Sequence, residues 1–167
     1  MQKWLRYSPD VLADSYIVPQ CDAVPGSLGA LMALYEGNFI KFGALMPRLG
    51  ALEPGSTALS RTVQDFDLHL WVDAVTRYTI DVRLTYLFSR PGELSGDAPE
   101  CDPDLRLRIY LDARMVEVVS WSGSHRHDLL RGLAESGLRE LDRRWSRNIM
   151  LGKWLDYLSD RQHQFRL

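Results

Sequence analysis

Apolar and polar residues alternate with a period of two along residues 63–121 of this chain. The apolar members of the pattern are Phe66, Leu68, Leu70 and Val72, then Tyr78, Ile80, Val82, Leu84, Tyr86 and Phe88, then Leu105, Leu107, Ile109 and Leu111. One apolar and one polar face are typical of an antiparallel sheet that is covered on one side only. We therefore predict an antiparallel sheet of four or five strands.

Helical patterns flank this block on both sides. Ser27 is a good N-cap for a helix that continues to about Met46, and Pro47 stops it. A second apolar stripe near the C-terminus is formed by Leu138, Leu141, Trp145, Ile149, Leu151, Trp154, Leu155 and Leu158. The pattern predicts an α+β fold with an N-terminal helix and a long C-terminal helix packed on one face of the sheet. We expect residues 28–167 to form a single domain and residues 1–27 to be an extension packed on or near its core.

The charges suggest how the two main hairpins pair. For the first hairpin we predict the register that places Asp67 opposite Arg83, His69 opposite Asp81, and Asp73 opposite Arg77. The second hairpin turns at Asp112-Ala113, and we predict Arg108 opposite Glu117 because a shift by one residue would turn the Glu117 carboxylate onto the apolar face. Residues 89–104, between the hairpins, read as a long acidic loop.

Composition narrows the class of protein. A chain of 167 residues with 20 basic and 22 acidic residues has a net charge of -2. This charge predicts no binding to nucleic acid or to an anionic membrane. No stretch reaches the ~18 apolar residues that a membrane helix requires, so we expect a cytoplasmic protein. Cys21 and Cys101 lack metal-binding or redox spacing, and we expect no disulfide between them.

Signatures of catalysis are missing from the sequence. It contains no GxSxG, HExxH, GxGxxG or phosphate-binding loop motif, which favours a non-catalytic protein without a cofactor. His125, His127 and Asp128 are the best metal candidates, since an HxH pair and a carboxylate can bind a first-row metal. They are the basis of a third hypothesis, a metal-dependent hydrolase. A loop in which Asp128 caps a helix explains the same residues.

Arginines are frequent on the predicted polar face of the sheet. Neighbouring guanidinium groups can bind a phosphate or carboxylate, so Arg77, Arg106 and Arg108 together suggest a site for an anionic, nucleotide-like small molecule. The alternative is that cross-strand carboxylates already pair with these arginines. Arg106 has no acid opposite it in the predicted registers.

Trp71 has the parity of the polar face, where an aromatic side chain often marks a binding surface. Alternatively, the N-terminal segment covers it. Our leading hypothesis is a non-catalytic protein-binding or regulatory module that recognises another protein through this face, and a homo-oligomer is a further possibility. The candidate ligand- or partner-binding residues are Trp71, Arg77, Tyr78, Arg106, Arg108 and Glu117.

Several short motifs occur in an order that resembles a known family. They are Glu36-Gly37-Asn38-Phe39 with Leu45-Met46-Pro47, Thr76-Arg77-Tyr78-Thr79, Arg108-Ile109-Tyr110-Leu111-Asp112-Ala113, Val116-Glu117-Val118, and Asn148 with Trp154-Leu155 and Tyr157-Leu158. Over residues 28–160 the chain resembles the YqiB-like family, a bacterial domain of unknown function. The resemblance implies a small cytoplasmic protein of unassigned activity, and it supplies no catalytic residue or cofactor.

Overall fold

The fold was established from a computed structural model, which describes residues 27–88, 99–122 and 140–166. Three sequence-based predictions lie outside these residues: the N-terminal extension before Ser27, most of the acidic loop, and the His125, His127 and Asp128 cluster.

Six antiparallel strands form the sheet, which confirms the α+β fold. They are β1 (Thr57–Ser60), β2 (Leu68–Val75), β3 (Thr79–Phe88), β4 (Glu100–Cys101), β5 (Asp104–Tyr110) and β6 (Met115–Ser122). The main path is β1-β2-β3-β5-β6, and β4 pairs with β3 beside it. Strands β1 and β4 have four and two residues, too few for an alternating pattern to reveal them. The predicted count of four or five strands was therefore too low.

Two helices of the described residues pack on the inner, apolar face of the sheet. Helix α1 (Leu28–Leu45) begins at Ser27, whose hydroxyl accepts a hydrogen bond from the Ala30 N–H at 3.2 Å, as predicted. Helix α2 spans Glu140–Asp160. The main core joins both helices to the sheet and includes Phe42, Leu45, Met46, Leu70, Val82, Leu84, Leu105, Leu107, Leu151, Leu155 and Leu158. Because both helices lie on this face, no described helix covers the outer face.

The predicted register of the first hairpin was wrong. Trp71 pairs with Arg83 and Val72 with Val82, and a bulge at Asp73 then shifts the pairing by one residue. Exposed charge pairs are each worth less than ~1 kcal/mol, so the alignment of buried residues and the turn outweigh them. The turn depends on Thr76, whose Oγ1 accepts the N–H of Thr79 at 2.9 Å.

The second hairpin has the predicted register near its turn, where Arg108 lies opposite Glu117 and Ile109 opposite Val116. A shift between Arg106 and Leu107 then changes the pairing, so that Arg106 lies opposite Ser120.

Two aromatic residues predicted for the inner face are exposed, although the Phe66 ring lies edge-on against Tyr86 and Phe88. Phe66 is 61% exposed and Tyr78 is 50% exposed. Both lie just before a strand begins, where the turn geometry and not the strand alternation sets the direction of the side chain. The other predicted inner residues of the strands, from Leu68 to Ile109, are buried apart from the strand-end Phe88.

Candidate binding face of the sheet

The strand registers align one residue from each of five strands across the outer face. We call Thr57, Trp71, Arg83, Arg106 and Ser120 the outer row. Adjacent strands lie about 4.8 Å apart, so the row crosses roughly 20 Å of sheet. The outward parity of Trp71, predicted from the sequence, is confirmed by its place between buried Leu70 and Val72.

Trp71 is half-buried between two side chains of the same face. The Arg83 guanidinium carbon lies 5.1 Å from the centre of a Trp71 ring, and His69 stacks at 6.0 Å. Arg83 also forms a two-point ion pair with Asp104, through Nε to Oδ1 and through Nη2 to Oδ2 at 2.8 Å. The hydrogen bonds that Arg83 donates to Asp104 raise the pKa of Arg83 above its ordinary value. The aromatic ring and its cation are thereby held in fixed positions.

Arg106 is the exposed cation of the outer row. It lies directly opposite Arg83 on one side and Ser120 on the other. Within the described part of the chain, no carboxylate lies at ion-pair distance from Arg106. The expectation that Arg106 has no acid opposite it is therefore confirmed.

Arg108 and Glu117 lie opposite each other but do not pair with each other. Arg108 forms a two-point ion pair with Asp81, at 2.7 and 3.0 Å, which raises the pKa of Arg108. Glu117 accepts a hydrogen bond from the Tyr110 hydroxyl at 2.7 Å and lies 3.6 Å from the Arg144 guanidinium of α2. Burial, followed by the hydrogen bond to Glu117, raises the pKa of Tyr110. These polar groups are engaged within the protein.

Arg77 and Tyr78 lie at the tip of the first hairpin, where the Arg77 guanidinium is 5.1 Å from the Tyr78 ring centre. Arg77 is six positions from Arg83, the neighbour of Arg106, and six positions of extended chain span at most about 20 Å. Arg77 is therefore displaced from Arg106 along the strands, whereas Arg108 lies two residues from Arg106 on the same face and is paired with Asp81.

At the edge strand β6, two buried asparagines link the sheet to the helices. Asn148 Oδ1 accepts the Val118 N–H at 2.9 Å, and Asn38 Nδ2 donates to the Asn148 carbonyl at 3.1 Å. Neither asparagine is exposed. Nearby, burial and the Glu117 charge raise the pKa of Tyr35 to about 12. The two asparagines, both within the motifs that carry the family resemblance, thus connect α1, α2 and β6.

Sequence reasoning missed a second polar cluster, which we call the C-terminal clasp: Ser60, Asp65, Tyr86, His163, Gln164 and Phe165. His163 Nδ1 lies 3.0 Å from Ser60 Oγ, and its Nε2 lies 3.3 Å from Asp65 Oδ2. Tyr86 donates to the same carboxylate oxygen at 2.8 Å. Burial alone would raise the pKa of Asp65, but hydrogen bonds from Tyr86, the Phe66 N–H and His163 lower it.

The clasp has the order of partners found in serine hydrolases, Ser–His–Asp. However, Ser60 is only 2% exposed, and its hydroxyl accepts the Gln164 N–H at 3.0 Å. A proton on Nε2 of His163 satisfies every group, since Ser60 then donates to Nδ1 and Nε2 donates to Asp65. This geometry fastens the tail of the chain and leaves the Ser60 oxygen inaccessible to a substrate.

Phe165 completes the clasp. Its side chain is buried in the main core, and its N–H donates to the Leu45 carbonyl at the end of α1 at 2.9 Å. A cavity of about 320 Å³ lies beside it, lined by Lys41, Ala44, Leu45, Leu155, Ser159, Gln162, His163 and Gln164. None of the predicted binding residues lines this cavity.

The structure assembles no metal centre among residues 27–88, 99–122 and 140–166. The two histidines within the described ranges lie in different parts of the fold: His69 is on the outer face and His163 is in the clasp. Cys101 is a free thiol. In the described ranges, neither helix combines the length and the apolar character needed to cross a bilayer.

The fold and the site define a two-layer α+β protein with an ionic sheet face that no described helix covers. Residues 41–164 match a family whose description is "Protein of unknown function (DUF1249)". The chain belongs to this family. The match confirms one part of the resemblance seen over residues 28–160, namely membership of a family of unknown function. The YqiB-like name stays an expectation. Comparison with curated proteins and with solved structures gives no match.

Proposed function

We propose that this protein is a non-catalytic binding module that recognises a partner protein through the outer row. The observation that carries the proposal is the half-buried Trp71, fixed between Arg83 and His69 on an otherwise polar face. An immobilised aromatic side chain loses little conformational entropy on binding, and tryptophan and arginine are enriched among residues that dominate binding energy.

A protein partner fits this surface better than a small molecule does. The outer row runs across five strands, whereas the cavity of about 320 Å³ lies on the helical side and contains none of its residues. Small ligands usually bind in concave sites with convergent polar groups. The arginines considered for a small anion do not form one site, because Arg108 is paired with Asp81 and Arg77 lies at the hairpin tip.

The test compares Trp71→Ala with Tyr157→Ala. Both side chains are exposed in part and carry an arginine against the ring, at 5.1 Å for Trp71 and 5.2 Å for Tyr157. A partner that co-purifies with the tagged chain is identified, purified and titrated calorimetrically against each variant. Trp71→Ala should weaken its affinity by about 30-fold or more, the size of a binding hot spot, while Tyr157→Ala should change it by less than about twofold. Wild-type affinity in Trp71→Ala would contradict the proposal.

A further inference from the structure

We infer that the segment recognised by the outer row is acidic and places a carboxylate on Arg106. The inference rests on the proposed function, since it names the chemistry of the partner at the same surface.

Among residues 27–88, 99–122 and 140–166, the ion pairs of the outer face do not include Arg106. Arg83 is paired with Asp104, Arg108 with Asp81, and Glu117 with Tyr110 and Arg144. Asp73 lies in the bulge of β2, two strands from Arg106 and therefore about 10 Å away. The exposed guanidinium of Arg106 is thus free to form a two-point ion pair with a carboxylate from outside the described chain.

The position of Arg106 opposite Arg83 strengthens this argument. Like charges directly opposite each other destabilise a sheet, and of these two arginines Arg83 forms the ion pair with Asp104. A carboxylate bound between strands β3 and β5 would remove the remaining repulsion. Arg106 therefore gains more from an anionic partner than an isolated surface arginine would.

Trp71 and Arg106 together set a spacing for the partner. They lie two strands apart, about 10 Å, which an extended chain covers in about three residues. A segment that crosses the strands would place an apolar residue on Trp71 and an acidic residue three positions away on Arg106.

The test uses a fluorescein-labelled peptide of two Leu-Thr-Thr-Glu repeats, with a Leu-Thr-Thr-Gln version as its uncharged match. Fluorescence anisotropy at low salt should show saturable binding of the acidic peptide only. Arg106→Gln should weaken this binding by about tenfold, the effect of one charged contact, and Arg143→Gln, an exposed arginine on α2, should leave it unchanged.

Three results would overturn the inference: no saturable binding of the acidic peptide, equal binding of its glutamine version, or equal losses in the Arg106→Gln and Arg143→Gln variants. Inorganic phosphate that displaces the peptide at lower concentration than free glutamate would also overturn it, because the anion would then be a small phosphate. If binding of the natural partner requires Trp71 but not Arg106, the proposed function is retained and the inference of an acidic ligand is overturned.

A stability measurement tests the same point without any ligand. Arg106→Gln should raise the melting temperature by about 1–3 °C, because it removes the opposed cation, and added salt should reduce the gain. Arg143→Gln should show no such gain. A fall in melting temperature for Arg106→Gln would mean that the arginine stabilises the sheet by itself, and this would contradict the inference.

Discussion

The clasp and the outer row are both polar clusters, but they differ in how far their groups are satisfied. In the clasp, Ser60, Asp65 and His163 are buried and bonded to one another within the protein. In the outer row, Arg83 is paired, while Arg106 is exposed and faces a second cation. Complete internal pairing indicates a structural role, and a cation left over on a rigid surface indicates a role in binding.

The largest predicted effect is the loss of the clasp histidine. His163→Ala should lower the free energy of unfolding by about 3 kcal/mol, because it leaves a buried hydroxyl and a buried carboxylate without partners. Urea denaturation measures this change. His69→Ala, a histidine of the outer face, is the matched control and should cost less than about 1 kcal/mol. Equal costs for the two variants would remove the distinction between the clusters.

Asp65 gives the clasp a predictable dependence on pH. Its pKa is lower in the folded protein than in the unfolded chain, where a carboxyl titrates near ~3.9. The ionised Asp65 carboxylate therefore stabilises the folded protein above ~pH 3.9. This stabilisation is lost as the pH falls through the lower pKa of the folded state.

We predict that Asp65→Asn is less stable than the wild type at pH 7 and loses less stability on acidification. Urea unfolding between pH 7 and pH 2 should show two curves that converge at low pH. Parallel curves would mean that the Asp65 charge does not stabilise the clasp.

The Arg83–Asp104 pair should have a smaller effect. Its side chains are 30% and 14% exposed, so water screens part of the attraction. Asp104→Asn should lower the free energy of unfolding by about 1 kcal/mol and free Arg83 from its position against Trp71. Tryptophan fluorescence should then respond more strongly to an added quencher. A loss as large as that of His163→Ala would show that the outer row is part of the structural core.

The sequence predicted the inner face of the sheet well because burial repeats with a simple period. Leu70, Val82 and Leu107 are all buried as expected, and the parity that buries them also turns Trp71 and Arg106 outward. The pairing of the first hairpin was not predictable in this way. It depends on a bulge at Asp73 and on the hydroxyl of Thr76, which no alternation pattern contains.

The clasp was beyond the reach of pattern reasoning for a different reason. Ser60 and His163 are 103 positions apart, and their contact depends on where α2 ends and the chain turns back at Gln162, which has a φ of 63°. Each residue is unremarkable in its own local segment. Only the folded chain brings them together.

The most direct test of this account measures partner affinity and unfolding free energy in Trp71→Ala and His163→Ala side by side. In Trp71→Ala, the affinity for the partner should fall by about 30-fold or more, and the free energy of unfolding should stay within about 1 kcal/mol of the wild type. His163→Ala should lose stability and, at a temperature where it is folded, bind the partner as the wild type does. Wild-type affinity in Trp71→Ala, or equal loss of affinity in both folded variants, would contradict the account.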